Sequence, residues 1–172
     1  LIESQEYELK NEEANCLNMI GILENNLGNQ NNAINYYNRA LEIYLEVNNQ
    51  SGIANQYNNL GSIYGLKGEK ELAFDNYYKA KILYKILDDK EGLSICYNNL
   101  ATIYDLKGEY DKALYNFNKS LLLAESMGNM EGVASTLGNM GLFYMRQSKM
   151  EKSLEYRVKS LEIYEKLQNE RA

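Results

Sequence analysis

Few of the residue types that carry enzyme chemistry occur in this chain. It has no histidine and 2 cysteines among 172 residues. Without histidine, the usual general base near neutral pH and the commonest transition-metal ligand are missing. Neither Cys16 nor Cys96 has an imidazole to turn it into a nucleophile. Gly61 and Gly65 stand four apart, but they lack the spacing and the Lys-Ser/Thr ending of a phosphate-binding loop, and they fall inside a helical pattern. Carboxylates are plentiful yet interleaved with lysines, as in Gly68-Glu69-Lys70-Glu71-Leu72, and none stands in an apolar run that would perturb its pKa. We therefore expect a non-catalytic segment with no cofactor and no metal. The polar chemistry that remains is amide chemistry. The chain holds 23 asparagines, and the pairs Asn58-Asn59 and Asn98-Asn99 recur at the same interval as everything else.

That interval is forty residues. Asn58–Glu69 reads NNLGSIYGLKGE and Asn98–Glu109 reads NNLATIYDLKGE, identical at nine of twelve positions. The register extends both ways, to NMIGILENNLGN from Asn18 and GNMGLFYMRQSK from Gly138. A fixed period of this length marks a repeat architecture. Four units result, about 11–50, 51–90, 91–130 and 131–170, forming one domain over 1–172.

Each unit has the helical period. In 51–90, Ile53, Ala54, Tyr57, Leu60, Gly61, Ile63 and Tyr64 recur at spacings of three and four, as do Leu72, Ala73, Tyr77, Ala80, Leu83, Tyr84 and Leu87. Lys67-Gly68-Glu69 separates the two runs, since glycine tolerates the left-handed residue past a helix end. Polar turns are expected at Asn48-Asn49-Gln50, Asp88-Asp89-Lys90 and Met127-Gly128-Asn129. The fold is thus expected to be all-α: about eight antiparallel helices in four helix-turn-helix units, stacked because one hairpin cannot bury both its faces. Small residues at Gly21, Gly61, Ala101 and Gly141, with Tyr37, Tyr77 and Phe117 opposite, point to close helix approach. Arg157 breaks the aromatic series. Most of the 16 tyrosines are expected to pack, with the hydroxyl at the edge of the core.

Charge and length exclude other roles. A net charge of −6 argues against nucleic acid. No run approaches the roughly 18 apolar residues that a membrane-spanning helix needs. Helices pack about 8–10 Å apart, so cysteines two units apart exceed the ~7 Å Cα limit of a disulfide. Both are expected to be reduced and partly buried, as suits a cytoplasmic protein. The chain starts at Leu1 rather than Met, so it is expected to be an excerpt of a longer one. The bias toward Asn, Tyr, Lys and Ile suggests an AT-rich genome.

The pattern Leu60, Gly61, Tyr64, Gly68, Ala73, Tyr77, Ala80, repeated as Leu100, Ala101, Tyr104, Gly108, Ala113, Phe117, Ser120, resembles the tetratricopeptide repeat. The resemblance covers about 160 residues. It implies a right-handed α-solenoid. The family's common repeat is 34 residues and carries a proline, whereas here the period is forty and proline is absent. The six extra residues fall across the junction between units and lengthen both helices by about one turn. Long repeats of this kind resemble those of kinesin light chains and of peptide-sensing regulators in bacteria. The last unit departs most, with Ser148 for glycine, Ser153 for alanine and Arg157 for the aromatic. It is either a terminal cap or a place where function overrides packing.

The resemblance also places a candidate site, because in this family the first helix of each unit lines a concave groove. The matching positions are Asn15, Asn18, Met19, Ile22 and Asn25; Asn55, Asn58, Asn59, Ser62 and Gly65; Ile95, Asn98, Asn99, Thr102 and Asp105; and Ser135, Gly138, Asn139, Leu142 and Met145, with Arg146 beside them. An amide both donates and accepts, so a ladder of them can pair with the backbone of an extended peptide. Ile22, Leu142 and Met145 would take apolar side chains. Alternatively, asparagines on adjacent helices satisfy one another. A grip on a C-terminal carboxylate is not expected, since Lys67 and Lys107 fall at helix ends and Arg146 alone is cationic near the groove. Two functions follow. One is a scaffold that binds a protein or peptide, as the sensor region of a larger signalling protein. The other is a structural spacer, or a homo-oligomer formed through the array ends. The end at Gln168–Ala172 falls where a further first helix would begin, so the array is either cut mid-run or its last helix runs on.

Overall fold

A computed structural model describes residues 2–171, with side chains from 5 to 170. Eight helices account for nearly all of them: α1 (Ile2–Asn26), α2 (Gln30–Glu46), α3 (Gln50–Leu66), α4 (Lys70–Ile86), α5 (Lys90–Leu106), α6 (Tyr110–Ser126), α7 (Met130–Arg146) and α8 (Met150–Arg171). There is no strand among the described residues, and no helix is long and apolar enough to cross a membrane. The fold class is therefore all-α, in four helical hairpins. Two compact units hold them: Leu1–Asp88 carries α1 to α4, and Asp89–Ala172 carries α5 to α8.

The spacing of the turns is stricter than the forty-residue period. A left-handed residue stands at Gly28, Asn48, Gly68, Asp88, Gly108, Gly128 and Ser148, every twentieth position. Each of the six inner helices has 17 residues, so helix and turn make one half-repeat. At Gly68 the backbone N–H of Glu69 reaches back to the Tyr64 carbonyl at 2.9 Å. This closes the helix end and requires the positive φ of 77° between them. Starts alternate as well. Asn49, Asp89 and Asn129 each accept the backbone N–H of Gly52, Gly92 or Gly132 at 2.9 Å, capping α3, α5 and α7. No side chain caps α2, α4 or α6. α1 begins well ahead of the expected residue 11, because residues 2–10 are mostly good helix formers and Lys10 pairs with both Glu6 and Glu46.

Within each hairpin a small residue lies under a large one. A Cβ on Gly21 would fall 2.6 Å from the Tyr37 ring, and one on Gly61 would fall 2.8 Å from the Tyr77 ring. In the last hairpin the aliphatic stem of Arg157 lies on Gly141 instead. The missing aromatic is thus replaced by methylenes, with the charged head left exposed. In the first unit, Ala33, Tyr37, Leu60 and Ile63 form one core cluster, and Ala14, Leu17, Ala40, Tyr44 and Ile53 form another. In the second unit Phe143 meets Phe117 and Tyr144 edge-on at 5.8 and 5.1 Å, and Tyr144 stacks on Tyr156 at 5.3 Å. Tyr64 and Tyr104 are half-buried and Tyr144 is buried.

One expectation needs correcting. Cys96 is fully buried, but Cys16, at the same register position, is exposed. Gln56 and Thr136 share that position and are also buried. In the first hairpin this face of α1 has no helix over it among the described residues. Neither cysteine forms a disulfide. At the other end, α8 continues to Arg171 with no turn where a further first helix would begin.

A Cβ on Gly68 would meet no atom within 4 Å, so its only penalty is the backbone angle. Gly68→Ala should lower stability by about 1 kcal/mol, and Ser148→Gly should raise it by about the same, from relief of left-handed strain. The midpoints of urea unfolding check both signs. A second expectation concerns alkali. Burial raises the phenol pKa of Tyr37 and Tyr44, so the folded state holds those protons more tightly than the unfolded chain. Their contribution is complete below about pH 10 and is lost as pH rises through the folded-state value. Melting temperature against pH, for wild type and Tyr44→Phe, should show a steeper alkaline decline in wild type.

Candidate partner-binding face

The expected face lies on α1 and α3 in the first unit and on α5 and α7 in the second. Here the asparagines find one another. Asn18 Oδ1 accepts from Asn59 Nδ2 at 3.0 Å and from Gln56 Nε2 at 3.0 Å. In the second unit Asn139 Nδ2 donates to Asn98 Oδ1 at 3.1 Å. Arg146 Nε donates to Asp105 Oδ2 at 2.7 Å. These links join residues 41 apart on successive first helices, apart from the Gln56 contact at 38. Each is a rung between neighbouring hairpins. Apart from Asn18 Oδ1, which accepts twice, an amide in a rung still has a second N–H and a further carbonyl lone pair. The rungs therefore hold the amides in place without consuming them.

Arg146 and Asp105 are brought together rather than offered separately. The Asp105 side chain is only 1 % exposed, whereas that of Arg146 is 39 % exposed. The guanidinium is the charge compensation for a buried carboxylate. Thr102 bonds back onto its own helix, donating to the Asn98 carbonyl at 3.2 Å. Asn58, Ser62 and Asn99 are half-buried, as are Asn25, Gly65 and Gly138. Ile22, Leu142 and Met145 are exposed beside the rungs, as are Met19 and Ile95.

Asn55 has a different role, shared with Asn15. Both are exposed, and each carbonyl oxygen accepts the hydroxyl of a buried tyrosine 29 residues on. Tyr44 reaches Asn15 at 2.6 Å and Tyr84 reaches Asn55 at 2.7 Å. The ring of Tyr44 also lies against Gly52, where any Cβ would overlap it. The clasp thus joins the two helices of one hairpin and passes between the first helices of two. Sequence reasoning missed it, because it read the tyrosines only as packing.

A cavity was also missed. In the second unit a recess of about 170 Å³ opens between α5 and α7, over Ser94, Ser120 and Thr136, with Ile95, Gly132 and Ser135 around it. Its signal was in the register: Tyr44, Tyr84 and Tyr164 are interrupted by Ala124. Larger hollows, such as the one of about 530 Å³ at residues 148–152, are open surface at hairpin turns. No group of three metal-ligating side chains occurs among the described residues.

Two tetratricopeptide-repeat family models match the chain, one over residues 52–126 and one over 14–46. The chain belongs to the tetratricopeptide repeat family. Its fold is similar to that of BtubC (BKLC) from P. vanneervenii, with a TM-score of 0.75 and 20 % identity, covering 90 % of this chain and 64 % of that one. MamA matches with a TM-score of 0.61 and 25 % identity, over 91 % of this chain and 81 % of that one. The Rap conjugation gene regulator of the plasmid pLS20, solved in complex with the Phr* peptide, matches with a TM-score of 0.77 and 20 % identity. That match covers 85 % of this chain and 41 % of the regulator. The chain thus spans less than two thirds of the length of the first of these structures and under half of the last. No curated protein matches it in sequence.

Removing the Arg146 guanidinium leaves the Asp105 carboxylate buried without its cation. Arg146→Ala should cost about 2 kcal/mol, and adding Asp105→Asn should recover part of that loss. A double-mutant cycle in urea measures the coupling. Additive losses would show that the pair is not energetically linked.

Proposed function

We propose that this chain is a protein-interaction scaffold, in which the first-helix face of each unit takes an extended segment of a partner. The observation that carries this reading is the combination of fixed amide rungs with exposed apolar side chains beside them. The rungs are Asn18–Asn59 in the first unit and Asn98–Asn139 in the second. Ile22 is 41 % exposed, Leu142 37 % and Met145 38 %. Such a face offers hydrogen bonds to a backbone and shallow apolar contacts to alternate side chains, which gives modest affinity and broad choice. The regulator of similar fold bound to the Phr* peptide supports peptide binding as a use of this architecture. The chain has no histidine, and binding rather than catalysis is the role we assign to it, as the interaction region of a larger regulatory protein.

A structural role for the rungs themselves is the second reading, and their mutual pairing favours it. The two readings separate at the apolar positions, which hold no rung. A library of displayed random peptides would be selected on the protein, and the best binders measured by fluorescence anisotropy. Ile22→Glu should weaken a peptide that binds the first unit's face, and Leu142→Glu with Met145→Glu one that binds the second's, each about tenfold, or ~1.4 kcal/mol, with unchanged melting temperature. If no peptide is enriched and mass rises with concentration in sedimentation, the chain is a spacer or self-association element instead.

A further inference from the structure

In the first unit, a tyrosine ring from the second helix of a hairpin fills the gap between successive first helices. Tyr44 does so, with its ring against Gly52 and its hydroxyl on Asn15. The second unit keeps the glycine and loses the ring. Gly132 matches Gly52 in register, but Ala124 matches Tyr44, and a Cβ on Gly132 would lie 3.3 Å from the Ala124 methyl. The recess of about 170 Å³ lies between Gly132 and Ile95, the residues that match Gly52 and Asn15. Two of its walls are thus the residues that match those flanking the chain's own ring one unit earlier.

We propose that this recess receives the aromatic side chain of a partner peptide. This rests on the reading of the first-helix face as a peptide-binding face. The size fits, since a cavity of about 150 Å³ suffices for benzene. The floor fits as well. Ser94 Oγ donates to the Ser120 carbonyl at 3.0 Å, Ser120 Oγ to the Ser94 carbonyl at 2.8 Å, and Thr136 Oγ1 to the Gly132 carbonyl at 2.9 Å. The hydroxyls also meet one another, Ser94 Oγ with Ser120 Oγ at 3.2 Å and Ser120 Oγ with Thr136 Oγ1 at 3.0 Å, so their hydrogens are held within the network and the floor offers mainly oxygen to the electropositive edge of a ring. The Glu91 carboxylate at the rim disfavours an anionic ligand. Ile95 replaces the amide that accepts the tyrosine hydroxyl at Asn15 and Asn55, and it gives the recess an apolar wall. Asn98 also lines the recess while holding its rung to Asn139, so a backbone on the amides would place a side chain at its mouth.

The test is a titration of the ¹⁵N-labelled protein with N-acetyl-phenylalanine amide, N-acetyl-tyrosine amide and N-acetyl-leucine amide. The phenylalanine probe should give saturable shifts at the backbone amides of Ser94, Ile95, Gly132 and Thr136. The leucine probe should bind about tenfold more weakly than either aromatic probe. Ala124→Tyr should abolish the shifts by supplying the chain's own ring, with a melting temperature equal to or above that of wild type. Should that variant not fold, Ser135→Leu at the exposed rim should block the probe without touching the core. Absence of saturable shifts at these amides overturns the proposal, as does equal binding of leucine and phenylalanine. Shifts that persist in the folded Ala124→Tyr or Ser135→Leu protein overturn it too. Selected peptides that bind without perturbing these amides would sink the recess while leaving the peptide-binding face intact. Probe binding in a protein that selects no peptide would sink the face and not the recess.

Discussion

A ring lying on a bare backbone is the contact on which this structure depends. Gly21 under Tyr37 and Gly61 under Tyr77 bring the two helices of a hairpin closer than any side chain would allow. Gly52 under Tyr44 does the same between hairpins. Because each partner fills the space the other vacates, neither is replaceable alone, and a change of even one methylene is felt at such a contact. The Arg157 stem over Gly141 shows that volume, rather than aromaticity, is what the contact requires.

From that close approach follows the polar surface. First helices held this near can bridge short amide side chains, and Asn18–Asn59 and Asn98–Asn139 do so at 3.0 and 3.1 Å. The same geometry buries Asp105 and makes Arg146 its necessary neighbour. The face that would meet a partner is thus organised before any partner arrives, which lowers the ordering cost of binding. Where the ring is absent, at Ala124, the same spacing leaves a recess instead of a clasp.

Most of the architecture was legible before any coordinates. The repeat Leu60, Gly61, Tyr64, Gly68 fixes helix, close approach and turn together, because each depends on local spacing or on a backbone angle. The candidate face was legible only as a set of positions. Asn55 was grouped with Asn18 on spacing, yet Asn55 holds a tyrosine hydroxyl and Asn18 holds a rung. Cys16 and Cys96 were given one environment because they share a register, and they have two.

By itself the sequence determined the period, the all-helical hairpins, the small-against-large pairs and membership of the tetratricopeptide repeat family. These are properties of residues a few places apart, or of the same place one repeat on. Tertiary structure alone decided which amides meet, which acid is buried and where a cavity opens. An amide has donors and an acceptor with no preferred partner until two helices fix the distance between them. A break in the tyrosine series, as at Ala124, says nothing of a recess until the fold sets its walls, Gly132 and Ile95 among them.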